Sequence, residues 1–174
     1  MAPSEVVLDA SFVVDALLGS QPRHDACRAF LDAIAASGSV AYFNVLLVAE
    51  LWEAAYTIKL RELHGRRWRT HREDGRSLRA AGRARDGLNA AWSAALEALN
   101  AVSVDVGEIL TEVPAFMRYG LSSSDAIHAA TAAYVDVRAF VTLDYHFSLV
   151  PPRLLDLYVP QSRVSACRTR RARR

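Results

Sequence analysis

Lysine is almost missing from this 174-residue chain: Lys59 is the one lysine among 21 basic residues. Contact with anions therefore falls to arginine. Its planar guanidinium suits bidentate phosphate binding, although a GC-rich genome gives the same bias. Cysteine is scarce too. Cys27 and Cys167 stand far apart and fit neither a disulfide framework nor a metal-ligand spacing, so a cytoplasmic setting is expected. No apolar run approaches the roughly 18 residues that a membrane span needs. Met1-Ala2-Pro3-Ser4-Glu5 has no basic residue, and Asp9 and Asp15 interrupt the apolar stretch that follows, so no signal peptide is expected. A P-loop, a GxGxxG fingerprint, a serine nucleophile elbow and a Cys–His pattern are all missing, which excludes the nucleotide-binding and hydrolase classes that need them. There is no internal repeat.

What is present reads as one soluble globular domain over residues 1–160, with 52% apolar and 23% charged residues. The net charge of +2 conceals a segregation. Residues 61–85 hold nine arginines against three acids, and residues 163–174 hold six arginines and no acid. The remainder carries six basic and sixteen acidic residues. An acidic body thus bears an arginine-rich arm at 61–87 and a basic tail at 161–174.

The apolar pattern alternates strand and helix. Strands are predicted at 6–8, 40–43, 102–106, 139–142 and 155–159. Helices are predicted at 10–18, 22–37, 45–63, 88–99, 108–119 and 123–135. Residues 64–85, dense in arginine and poor in large apolar side chains, read as an exposed helical arm or a mobile loop and not as core. Strands separated by helices imply βαβ units, a mainly parallel sheet and an α/β class. Ligand sites in such sheets lie beyond the carboxyl ends of the strands.

Four acids stand where chemistry would be expected. Asp9 follows the first strand, Asp144 follows the fourth, Glu50 interrupts an apolar stretch of the third helix, and Asp125 opens the last helix. Each has an ordinary explanation. Asp9 is a helix cap, Ser122-x-x-Asp125 resembles a capping box, Asp144 suits a turn, and Glu50 suits a solvated face. Together they would repel one another and have raised pKa values unless a cation were present. Mg²⁺ or Mn²⁺ prefers oxygen ligands and suits phosphate chemistry.

Val6-Val7-Leu8-Asp9-Ala10-Ser11, Asn44 through Glu50, Asp125-Ala126-Ile127-His128-Ala129-Ala130-Thr131-Ala132 and Thr142-Leu143-Asp144-Tyr145-His146-Phe147 resemble the four acidic blocks of PIN-domain nucleases, most of all bacterial VapC-type toxin ribonucleases. The resemblance spans residues 6 to about 159 and implies a three-layer α/β sandwich around a short parallel sheet. It implies cleavage of RNA, such as tRNA or rRNA, by a metal-activated water. Asp9, Glu50, Asp125 and Asp144 would form the catalytic, Mg²⁺- or Mn²⁺-binding pocket, lined by Ser11 and Thr142. It further implies a homodimer and a small antitoxin partner that blocks the site. The arm and the tail depart from the family pattern.

His128 and His146 are supporting candidates: His128 either orients Asp125 or is a packed histidine, and His146 stands beside Asp144. In the arm, Arg66, Arg67, Arg69 and Arg72 would grip RNA, with Trp68 free to stack; a solvated helix face or an antitoxin-docking surface is the other reading. Competing functions are a catalytically silent RNA- or antitoxin-binding module and an aspartyl-phosphate phosphatase. The phosphatase would want a second Asp where Ser11 stands.

Overall fold

The computed structural model describes residues 2–158. The basic tail and the domain boundary predicted at 160 lie outside them. Val6, Val7 and Leu8 make up most of β1 (Glu5–Leu8), all of them buried. The chain continues through α1 (Ala10–Leu17), α2 (His24–Ala36), β2 (Val40–Asn44) and α3 (Val45–His64). A 3₁₀ turn at Gly65–His71 leads into α4 (Gly75–Ala98), then β3 (Asn100–Val104), α5 (Val106–Ile109), α6 (Val113–Met117), α7 (Ser123–Tyr134), β4 (Ala139–Val141), a 3₁₀ turn at Tyr145–Leu149 and β5 (Asp156–Tyr158).

The sheet is parallel throughout, in the order β3-β2-β1-β4-β5. Strand alternation divides the core. Val6 and Leu8 face one side with Ala41 and Phe43, against α1, α2, α3 and α4. Val7 and Phe140 face the other, against α5, α6 and α7. The result is the expected three-layer sandwich. Because β2 and β4 flank β1 on opposite sides, the carboxyl end of β1 is the switch point of the sheet, where such folds open a crevice.

Three expectations are corrected. The third strand begins at Asn100 and ends at Val104, because Asp105 turns the chain by accepting from the Gly107 amide at 2.7 Å. The helix predicted over 108–119 is two short ones, α5 and α6. Pro114 lacks an amide hydrogen and suits only the first turn of a new helix, so it starts α6. Residues 64–85 form the helical arm of the two readings, and what is corrected is that they hold no core. Trp68 packs with Leu60 and Ala81 in a separate small core, with Tyr56 against it. The arm is thus a folded extension of the α3–α4 hairpin.

Candidate active site at the carboxyl edge of the sheet

Asp9 is the first residue beyond β1 and caps α1, its carboxylate accepting from the Ser11 amide at 3.2 Å. Its backbone is tied to the neighbouring strand through Asp9 N–H to Val141 O at 3.0 Å. Ser11 Oγ donates to Oδ2, and Thr142 Oγ1 donates to the same oxygen at 2.8 Å. Each hydroxyl in turn accepts a backbone N–H from the segment after β4: Leu143 on Ser11 at 2.9 Å and Asp144 on Thr142 at 2.9 Å. All these bonds to the Asp9 side chain use Oδ2, so Oδ1 carries none of them and is left for another ligand.

Asp9 is only 4% exposed. Burial raises its pKa above the ordinary carboxylate range, and the charge of Glu50 pushes the same way. The charge of His128 and the hydroxyl bonds oppose that rise without cancelling it.

Glu50 enters from α3. Asn44, at the end of β2, caps that helix by accepting from Leu47 N–H at 3.3 Å. With Oδ1 committed there, its amide nitrogen faces α7, donating to Thr131 Oγ1 at 2.8 Å and lying 3.3 Å from His128 Nδ1. In the neutral ring this makes Nδ1 the acceptor and Nε2–H the donor, and Nε2 meets Glu50 Oε2 at 2.8 Å. Burial works against a charge on His128. The Glu50 bond and the charges of Asp9, Glu50 and Asp125 outweigh it and hold the pKa above the usual histidine value. A second proton would confront the Asn44 amide, so the two sides of the ring pull in opposite directions.

Asp9, Glu50 and His128 bring ligand atoms within 4.8 Å of one another. This donor set fits a divalent cation. It offers a buried carboxylate with one oxygen available, a partly exposed carboxylate held by a histidine, and excess negative charge that a cation would relieve.

A family model, PIN domain, matches residues 6–151. The chain belongs to the PIN domain family. No curated protein sequence matches it significantly. Among solved structures, its fold is similar to that in VapBC2 from Rickettsia felis bound to a DNA fragment from their promoter: TM-score 0.52, 16% identity, 89% of this chain and 98% of that one. It is similar to the same degree to FitAcB from Neisseria gonorrhoeae: TM-score 0.53, 17% identity, 89% of this chain and 97% of that one.

The other two predicted acids of this PIN domain stand apart from the Asp9–Glu50–His128 group. Asp144 caps the 3₁₀ turn after β4, accepting from His146 N–H at 2.8 Å and lying 3.0 Å from its ring Nδ1. With Glu50 it lines an open cleft of about 520 Å³. Asp125 sits in the first turn of α7, where its N–H donates to Ser122 Oγ at 3.2 Å, so the capping reading of that motif also holds. It acts on the site through its charge on His128. The ring is buried and bonds Glu50 and the Asn44 amide, so of the two readings of His128 the packed, hydrogen-bonded one describes it.

Trp68 is corrected as well. It is 8% exposed and covered by the guanidiniums of Arg61, Arg69 and Arg72, each between 5.0 and 5.3 Å from the ring centre. It is therefore not free to stack on a base. Arg72 also pairs with Glu53 at 3.0 Å; Arg66 and Arg67 are exposed, as are Arg69 and Arg72. Along the chain, Asn44 reads only as a cap. An Asn at a strand–helix junction signals that role, and its contact with α7 across 84 residues has no local signature. Arg23 and Asp15, which also line the cleft, carry no signal in the sequence at all.

Proposed function

We propose that this chain is a metal-dependent endoribonuclease, the toxin of a type II toxin–antitoxin system, cutting structured RNA such as tRNA or rRNA. The observation that carries the reading is the buried Asp9 at the switch point of a PIN fold. Its Oδ2 is saturated by hydroxyls, and its carboxylate lies within 4.8 Å of ligand atoms of Glu50 and His128.

Asp9 and Glu50 would hold Mg²⁺ or Mn²⁺, with Asp125 and Asp144 completing the acidic pocket around the phosphate. When bound, the cation supplies a water of lowered pKa and Lewis-acid stabilisation of the phosphodiester. The chain's own groups position everything else. Ser11 and Thr142 fix the Asp9 carboxylate in one orientation, and His128 fixes Glu50. His146 shares Asp144 and lines the same cleft. Arg66 and Arg67, with Arg69 and Arg72 beside them, extend a cationic surface for RNA phosphates. The similar VapBC2 and FitAcB assemblies support an antitoxin as the neutralising partner. The toxin would act as a cytoplasmic homodimer.

The test is incubation of purified, antitoxin-free protein with total tRNA and rRNA in Mg²⁺ or Mn²⁺ and in EDTA, beside Asp9→Ala and Asp125→Ala. Discrete fragments from the wild type only with metal, and from neither variant, are expected. Fragments that persist in EDTA or in both variants would overturn the reading.

A further inference from the structure

The cleft that contains Glu50 and Asp144 has a cationic wall that the acidic pocket does not explain. Arg23 is the residue before α2. Its side chain is 31% exposed, and its guanidinium lies 3.8 Å from Asp15 Oδ2, an ion-pair distance too long for a hydrogen bond. That is its one ion pair among the described residues, so the guanidinium fork keeps its donors for something else. Asp15 lies on α1 with its side chain 13% exposed, and His24 Nδ1 meets the Asp15 backbone oxygen at 3.1 Å, closing the α1–α2 connection. The same cleft is lined by Tyr145, 44% exposed, and His146, their rings 4.3 Å apart.

Among the described residues, Arg23 is the one permanent cation lining a cleft that Asp15, Glu50 and Asp144 line as well. Left alone, these acids repel a nucleic-acid strand. A bound metal would relieve that at Asp9 and Glu50. Six residues of helix separate Asp9 from Asp15, about 9 Å along the axis. Arg23, paired with Asp15, thus lines the cleft about that far along α1 from Asp9.

We propose that Arg23 is a phosphate clasp: it binds, in bidentate fashion, the phosphodiester next to the one cleaved, and the Tyr145–His146 wall takes the base of the intervening nucleotide. The inference rests on the nuclease reading. Arg23 is a substrate-positioning residue, and the cation fixed there sets the path of the strand through the cleft. The aromatic wall suits a base that is unpaired at that step, because a stacked one presents no face to it.

The test is binding, which keeps it separate from catalysis. In the Asp125→Ala background with Mg²⁺, which keeps Asp9 and Glu50, fluorescence anisotropy follows a short labelled single-stranded RNA in which each linkage in turn carries a neutral methylphosphonate, the adjoining 2′-hydroxyl being methylated so that the linkage is stable. Arg23→Ala should weaken binding about ten- to hundredfold, as for removal of a charged hydrogen-bonded group. Arg23→Lys should recover only part of it, since an ammonium has no fork. One methylphosphonate position should weaken the Arg23-containing protein and cost Arg23→Ala nothing further. Equal cost at every linkage in both proteins would overturn the clasp, as would unchanged affinity in an Arg23→Ala variant that melts like its parent. If wild type cleaves no RNA yet this coupling appears, Arg23 holds a strand phosphate in a binding cleft, and the nuclease reading falls together with the clasp's place next to a cleaved bond.

Discussion

A carboxylate that is 4% exposed and wrapped by two hydroxyls would be expected to serve structure, yet Asp9 is costly as an ion. Burial works against its charge, and the nearby Glu50 adds repulsion. Asn is nearly isosteric and can still cap α1 through its side-chain oxygen. Asp9→Asn should therefore melt a few degrees higher than the wild type in EDTA at pH 7 by calorimetry, and Mn²⁺ should raise the Tm of the wild type but not that of the variant. An unchanged or lower Tm would mean that the hydroxyl bonds already compensate the charge. Cys27 tests the interior elsewhere. It is fully buried, and its thiol is pushed up to about 11 by burial first and then by the charge of Asp15. A raised folded pKa gives stability that is complete below the unfolded thiol value of about 8.5 and is lost as pH rises through the folded one. In a Cys167→Ser background, Cys27 should resist a thiol reagent at pH 8 until the protein is denatured. Stability should fall as pH rises from the unfolded thiol value toward about 11.

At the scale of elements, the α3–α4 hairpin owes its outer end to one aromatic residue. Leu60 and Ala81 alone make a small apolar contact; Trp68 fills it, and three guanidiniums lie over the ring. Asp74 caps α4 by accepting from Ser77 N–H at 2.9 Å and from Ser77 Oγ at 2.6 Å, and Ser77 meets His64 at 2.6 Å, closing the turn between the helices. Trp68→Ala should remove this small core while the main one, built around β1 and β2, stays intact. Limited trypsin digestion should then cut within residues 65–75 well before the rest of the domain. Mn²⁺ affinity, measured by calorimetry, should stay within about twofold, because distant, unconnected sites are nearly additive. A global loss of Tm with no selective cleavage would show the arm to be part of one cooperative unit.

For the molecule as a whole, charge is divided between an acidic body and a basic hairpin, and the net value of +2 hides both. An RNA substrate would need cations around the acidic cleft, and the exposed Arg66 and Arg67 stand outside the Trp68 clamp that engages Arg69 and Arg72. Replacing Arg66 and Arg67 with Ala should weaken RNA binding and lower the slope of log affinity against log salt. The slope should change by about 0.7 for each phosphate of a single strand that is no longer neutralised. The parallel change for Arg69 and Arg72 should be smaller in slope and larger in Tm, since they cover a buried ring. An unaltered salt slope for the Arg66–Arg67 pair would remove the arm from the RNA surface.

Much of this was legible along the chain. The run Val6-Val7-Leu8 suits a strand buried on both faces, and helices between such strands force parallel connections, so the α/β class and the placement of Asp9 at a strand's carboxyl end followed from local pattern. The tertiary structure alone decided which acids meet. Glu50 is held beside Asp9 by a histidine 78 residues away on another helix, and that histidine is itself aimed by the Asn44 cap. Periodicity cannot register a contact between elements on opposite faces of a sheet. It also could not tell that one tryptophan among arginines is a core residue, because burial depends on what arrives from α3 and α4 to cover it. Local pattern encodes what each segment is; long-range packing sets which side chains share a low-dielectric space, and that proximity governs the chemistry of the site.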